Sequence, residues 1–158
     1  KTLDWQCLIM MNFSKENLTH RLSLEECGQA IGKIIQYDNN YRALLLSDNV
    51  PPAHNNPDSP VCGVGTSMMC LSADGDYYPC PGFKMSLGNA LRDSVWDVWT
   101  KSEKIRFLRS VKNSSFPTCL GCVARTYCSV CMARNHNESA GNLFEIPEHF
   151  CKIAKENK

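Results

Sequence analysis

The chain has 158 residues, with 17 Lys or Arg against 16 Asp or Glu, so its formal charge is +1 and no long run of one sign occurs. That balance leaves no electrostatic footprint for nucleic acid or an anionic membrane, and the length suits one modest domain with a limited apolar core. Ten cysteines are the one compositional extreme, and they open three chemistries: disulfides, zinc, or an iron–sulfur site.

No apolar stretch approaches a bilayer span, and the start, Lys1-Thr2-Leu3-Asp4-Trp5, has neither an initiator Met nor a signal-peptide pattern, so the chain reads as cut from something longer. Residues 1–12 are apolar around Trp5 to Met11, a run too short for most helices and read as a buried strand, with Cys7 as a packing residue. Ser23-Leu24-Glu25-Glu26 makes a capping box, and Leu24, Cys27, Ile31, Ile34 and Ile35 recur at helical spacing, so residues 23–37 form an amphipathic helix with Cys27 on its apolar stripe.

From Ser47 to Pro60 the composition turns to Asp, Asn, Pro, Ser and His, too polar and proline-rich for a packed element, and a domain boundary belongs here. Met68 to Cys80 holds Ala73-Asp74-Gly75-Asp76 between two short segments, a hairpin signal that would bring Cys70 near Cys80. Residues 93–111 read as helical, with a break after which Ser102 caps a second helix. After Phe116-Pro117 periodicity is lost and cysteines dominate; no internal repeat is evident.

Eight cysteines follow the boundary: Cys62, Cys70, Cys80, Cys119, Cys122, Cys128, Cys131 and Cys151. Thiolates are soft ligands, and a Cys-x-x-Cys turn aims two sulfurs at one centre, so eight sulfurs make two four-ligand sites for zinc or for clusters alike. The even count and the sequons at Asn12, Asn17, Asn113 and Asn137 favour disulfides, whereas two near-consecutive Cys-x-x-Cys pairs suit a metal better. His136 and His149 could substitute as ligands but read as surface residues; Tyr77, Tyr78 and Phe83 could shield Cys80 or simply pack. Arg125 and Tyr127 lie in the Cys122-to-Cys128 loop, where exposure is the expectation and tuning of a metal site the alternative. No Ser-His-Asp set, phosphate loop or paired-carboxylate motif is recognisable.

In order the set runs Cys62, twelve residues, Gly75, four residues, Cys80, a long gap, Cys119-x2-Cys122-x5-Cys128-x2-Cys131, a second gap, and Cys151. Together with the text Cys62-Gly63-Val64-Gly65 and Asp74-Gly75-Asp76-Tyr77-Tyr78-Pro79-Cys80, this resembles the SPASM domain of radical S-adenosylmethionine enzymes from Cys62 to Cys151. It departs from that family at one place, where two residues separate Cys128 from Cys131 in place of the usual three.

The resemblance implies an α+β fold: a small irregular cysteine-rich domain over 56–158 with a short antiparallel hairpin and a few helices, preceded over 1–55 by the last strand and helix of a partial (β/α) barrel and a connector. It implies two 4Fe-4S clusters, Cys62, Cys70, Cys80 and Cys131 holding auxiliary cluster I and Cys119, Cys122, Cys128 and Cys151 holding auxiliary cluster II. Cys70 lies outside the seven-cysteine pattern, though in some members a cysteine between the first two completes cluster I. The Cys-x3-Cys-x2-Cys motif that binds a third cluster and cleaves S-adenosylmethionine is not in this sequence, so the resemblance implies a cytoplasmic piece with no catalytic residue of its own. It implies electron transfer and substrate positioning for the barrel of the full-length chain, a peptide or protein substrate, and a flavodoxin or ferredoxin as electron donor. Pro81 stands where sulfatase-maturating members carry Asp, and the text Met132-Ala133-Arg134-Asn135 and Gly141-Asn142 looks more like peptide maturases. A zinc-stabilised binding module, with four cysteines to each ion, is the other reading of the same sulfurs, and zinc can replace clusters in protein prepared in air.

Overall fold

A computed structural model describes residues 22–37, 56–125 and 128–156. Helix α1, Leu24–Tyr37, begins where the capping box places it: the Glu26 N–H donates to Ser23 Oγ at 3.2 Å and the Ser23 N–H to Glu26 Oε2 at 2.8 Å. Those bonds from Ser23 hold the Glu26 carboxyl below its ordinary range. The Trp5–Met11 run, Cys7, the side chain of Cys27, and Tyr127 lie outside the described residues.

The remainder is α+β, as expected: a three-stranded antiparallel sheet in order β1-β2-β3, with helices following it in sequence. β1 (Cys70–Leu71) and β2 (Asp76–Tyr78) form the hairpin, with Cys70 opposite Tyr78 and Leu71 opposite Tyr77. The turn closes through Ser72: its N–H donates to Asp76 O at 2.9 Å, and its Oγ accepts from the Asp76 N–H at 3.1 Å. Gly75 takes φ +83° there, a left-handed conformation that glycine adopts without a Cβ clash. The third strand, β3 (Gly88–Asn89), pairs with β2 and is too short to show any alternation in the sequence. Asn89 anchors it, donating to Asp76 Oδ1 at 2.8 Å and, from its backbone, to Asp93 Oδ2 at 2.7 Å.

Helices α2 (Val95–Lys101) and α3 (Glu103–Ser110) are split at Ser102, which is extended and whose hydroxyl accepts from the Ile105 N–H, so the break and the cap are both where the sequence puts them. Arg109 ties this pair to the turn after Cys62. Its Nε donates to Gly65 O, its Nη2 to Trp99 O at 2.8 Å, and its guanidinium lies 4.7 Å from the Trp99 ring centre.

Beyond Phe116, where the sequence loses its periodicity, the few helices expected of the domain continue among the described residues. Three short helices follow: α4 (Pro117–Leu120), α5 (Met132–Glu138) and α6 (Glu148–Glu156). α4 has Pro at its first turn, where a missing N–H costs nothing. α5 buries four consecutive residues, Met132 to Asn135, so it shows no polar face to reveal its period. It stops at Ala140 and Gly141, both at positive φ, with the Gly141 N–H donating to His136 O at 2.8 Å.

The core joins the hairpin half to the helical half through Val61, Val64, Phe83, Leu108, Phe116 and Met132 among others, and Cys80, Cys119 and Cys131 pack against it. The end of the polar stretch is also more tightly held than its composition suggests. Ser59 O and Pro57 O accept from the N–H groups of Asn113 and Ser114 at 3.0 and 2.9 Å, and Asn113 Nδ2 donates to Asn56 O at 3.0 Å.

Candidate metal centres

Eight described cysteines are free thiols, and they fall into two groups by electrostatic influence. The Cys80 thiol feels Cys131, Cys62 and Cys70; the Cys62 thiol feels Cys131. The Cys119 thiol feels Cys128, Cys151 and Cys122. Cys131, Cys62 and Cys70 thus lie near enough to act on Cys80, and Cys119, Cys122, Cys128 and Cys151 line one cleft.

The first group is built from turns and strand ends. Cys62 precedes a tight turn in which Gly63 O accepts the N–H groups of Thr66, Ser67 and Met68 at 3.1, 2.9 and 3.1 Å. Cys70 opens β1, Cys80 lies two residues past β2, and Cys131 is the N-cap of α5. The backbone N–H two residues on from the cysteine, Val64 for Cys62 and Gly82 for Cys80, hydrogen-bonds each sulfur and favours its thiolate. Burial outweighs both amides: it pushes the Cys62 thiol up although the residue keeps an exposed surface, and pushes Cys80 up to about 11 with the neighbouring sulfurs adding to the rise. As free thiols these groups hold their protons near neutral pH, and a bound metal would have to displace them.

The second group surrounds a cleft between α4, α5 and α6. Cys119 on α4, Cys122 just after it, Cys128, and Cys151 on α6 line the cleft with Val130, Phe150 and two arginines. Burial pushes the Cys119 thiol up, the neighbouring sulfurs add to this, and the Arg125 guanidinium works against it. The two groups meet at Ser129-Val130, the two residues between Cys128 and Cys131; Val130 belongs both to the core and to the cleft wall.

Several expectations change. Arg125 is buried, not loop-exposed, and its Nη2 donates to Asn113 Oδ1 at 3.0 Å. The buried Asn113 amide gives the Arg125 guanidinium a partner inside the fold. His136 is no surface histidine: it is half-buried, edge-on to Phe83 with ring centres 5.1 Å apart. Phe83 is itself core, at 1 % exposure. His149 stacks edge-on with Phe150 at 5.3 Å. Tyr77 is buried with its hydroxyl donating to Asp93 O at 3.4 Å, and Tyr78 reaches Asp76. Asn113, a sequon residue, is buried at 2 % exposure with both ends of its amide engaged, so it cannot present a glycan in this fold. Asn137 is also engaged, donating to Gly82 O at 2.7 Å and accepting from the Lys84 N–H at 3.1 Å. The residue that sequence reasoning missed is Arg134, buried on the cleft wall; its only signal was its place three residues after Cys131.

Among the described residues, no three His, Cys, Asp or Glu side chains are gathered closely enough to hold one metal ion. Zinc needs four ligands within about 2.3 Å of a single point. A cluster with several irons takes one thiolate at each, so its sulfurs stand farther apart. Four soft sulfurs, two of them with backbone amides facing them, are a donor set that fits an iron–sulfur cluster.

A family model described as an iron–sulfur cluster-binding domain, SPASM, matches residues 62–123. The match takes in Cys62, Cys70, Cys80, Cys119 and Cys122 and ends before Cys128, Cys131 and Cys151. No curated protein and no solved structure matches the chain.

Proposed function

We propose that this chain, whose residues 62–123 are a SPASM iron–sulfur cluster-binding domain, holds two 4Fe-4S clusters, on Cys62, Cys70, Cys80 and Cys131 and on Cys119, Cys122, Cys128 and Cys151. The observation that carries the reading is the partition of eight thiols into two sets of four, each drawn from distant stretches of chain. Bound there, the clusters supply one-electron transfer. The chain's own residues do the rest. The Val64 and Gly82 amides orient and favour two of the thiolates, and the Phe83, Val130 and Met132 side chains keep water from the ground between the two sets.

On this proposal the segment is the auxiliary-cluster part of a cytoplasmic radical S-adenosylmethionine enzyme that modifies a peptide or protein. It positions that substrate and passes electrons between an external donor and a barrel domain. Among the described residues no helix is long and apolar enough to cross a membrane, which is compatible with that setting.

Anaerobic reconstitution with iron and sulfide tests the proposal. The expected product is brown and carries about four iron and four sulfide per cluster, two clusters per chain. Cys80→Ser and Cys119→Ser should each remove the share of one cluster and leave the other. Colourless protein with two tightly held zinc ions, or variants that both empty the same site, would reject it.

A further inference from the structure

Arg134 lies on α5 at 8 % exposure, with its guanidinium carbon 4.1 Å from the centre of the Phe150 ring. It lines the same cleft as Cys119, Cys122, Cys128 and Cys151, and its Nε is buried with no hydrogen-bond partner among the described residues. A guanidinium keeps its proton at every accessible pH, so burying one is costly unless negative charge lies beside it. The Phe150 ring face offers partial compensation. Among the described residues no Asp or Glu lines the cleft, so the groups there that can become negative are the cysteine sulfurs. As thiols they are neutral. In a cluster, four thiolates outweigh the positive charge of the iron core and leave the whole net negative.

We propose that Arg134 is the charge partner of the cluster held by Cys119, Cys122, Cys128 and Cys151, and that it raises that cluster's reduction potential. This rests on the cluster reading above and adds a positioning residue to it. Reduction places one electron on the cluster and breaks no bond, so the form with more negative charge gains most from a fixed cation nearby. Arg125 borders the same cleft, is anchored to Asn113 and already acts on the Cys119 sulfur, so Arg134 is a second cation there, and its Nε has no hydrogen-bond partner among the described residues.

The test is a redox titration of the full chain with both clusters loaded, dithionite as reductant and the paramagnetic reduced state as readout, comparing wild type with Arg134→Met and Arg134→Lys. Arg134→Met should lower the midpoint of one cluster by about 59 mV or more, a tenfold loss in its reduction equilibrium, while the other cluster stays put. Arg134→Lys should keep most of the wild-type potential. If Arg134→Met instead loads half the iron, retention of full loading by Arg134→Lys supports the same role. Unchanged midpoints in Arg134→Met, equal shifts of both clusters, or a Lys variant that behaves like the Met variant would overturn it. Wild-type chain that takes up no cluster at all would sink the cluster reading itself, which keeps the two failures apart.

Discussion

The two halves of the domain surround their cysteines with different physics. Around Cys62, Cys70 and Cys80 the environment is backbone: turn amides at Val64 and Gly82 point at the sulfurs, and the sheet sets the spacing. Around Cys119, Cys122, Cys128 and Cys151 it is side chain: an apolar cleft between short helices with two buried guanidiniums. An amide dipole is fixed once the turn forms and carries no net charge, whereas a guanidinium adds a whole charge that acts over a longer range. On the two-cluster proposal, two sites of one donor type would therefore differ in potential.

The largest effect concerns the thiols of the metal-free protein. Cys80, with no cation opposing its burial, is raised to about 11, so its alkylation rate should keep climbing about tenfold per pH unit past the point, near 8.5, where an ordinary thiol levels off. Cys119, relieved in part by Arg125, should level off earlier. A native pKa above the unfolded one means that folded chain binds more protons, so the metal-free protein should also lose stability as pH rises from about 8.5 through about 11. A Cys80 rate that plateaus before Cys119 would reverse the comparison.

Phe83→Ala comes next. Phe83 lies under Cys80 in the core shared by both halves, and its removal should cost about 3–5 kcal/mol in denaturant unfolding. Loss of the first site alone, with the second still loading iron, would show the halves to be more independent than their common core suggests.

Arg109→Met removes the tie between the Cys62 turn and the α2–α3 pair. Two hydrogen bonds from a half-buried cation put the loss at about 1.5–3 kcal/mol, and iron uptake should weaken at the Cys62 site only. The smallest effect is Gly75→Ala, which forces a Cβ into φ +83° at the hairpin tip for about 1–2 kcal/mol, measured as a shift in midpoint with unchanged m-value. If it perturbed the Cys119 cleft as strongly as the Cys80 side, the sheet would not be the local device described here.

Legibility divided along the same line as the chemistry. The hairpin, the capping box at Ser23 and the break at Ser102 were readable because each is set by neighbours within a few residues: Ser23 with Glu26, Gly75 with Ser72, Ser102 with Ile105. β3 and the helices α4 and α5 were not, being too short to show a period, and α5 is buried through its first turn. α6 carries a legible signal in the spacing of Phe150, Cys151 and Ala154.

What the amino-acid order decided alone was the number of sulfurs, their spacing and the turns that present them, since these depend on covalent distance and local backbone preference. Which sulfur sits with which, and that Arg125, Arg134 and Asn113 are drawn inside with them, only the tertiary structure decided. Cys131 comes three residues after Cys128 yet falls in the other neighbourhood, because the packing of Val130 and Met132 turns the chain between them. Such long-range packing leaves no periodic trace in the residues it brings together.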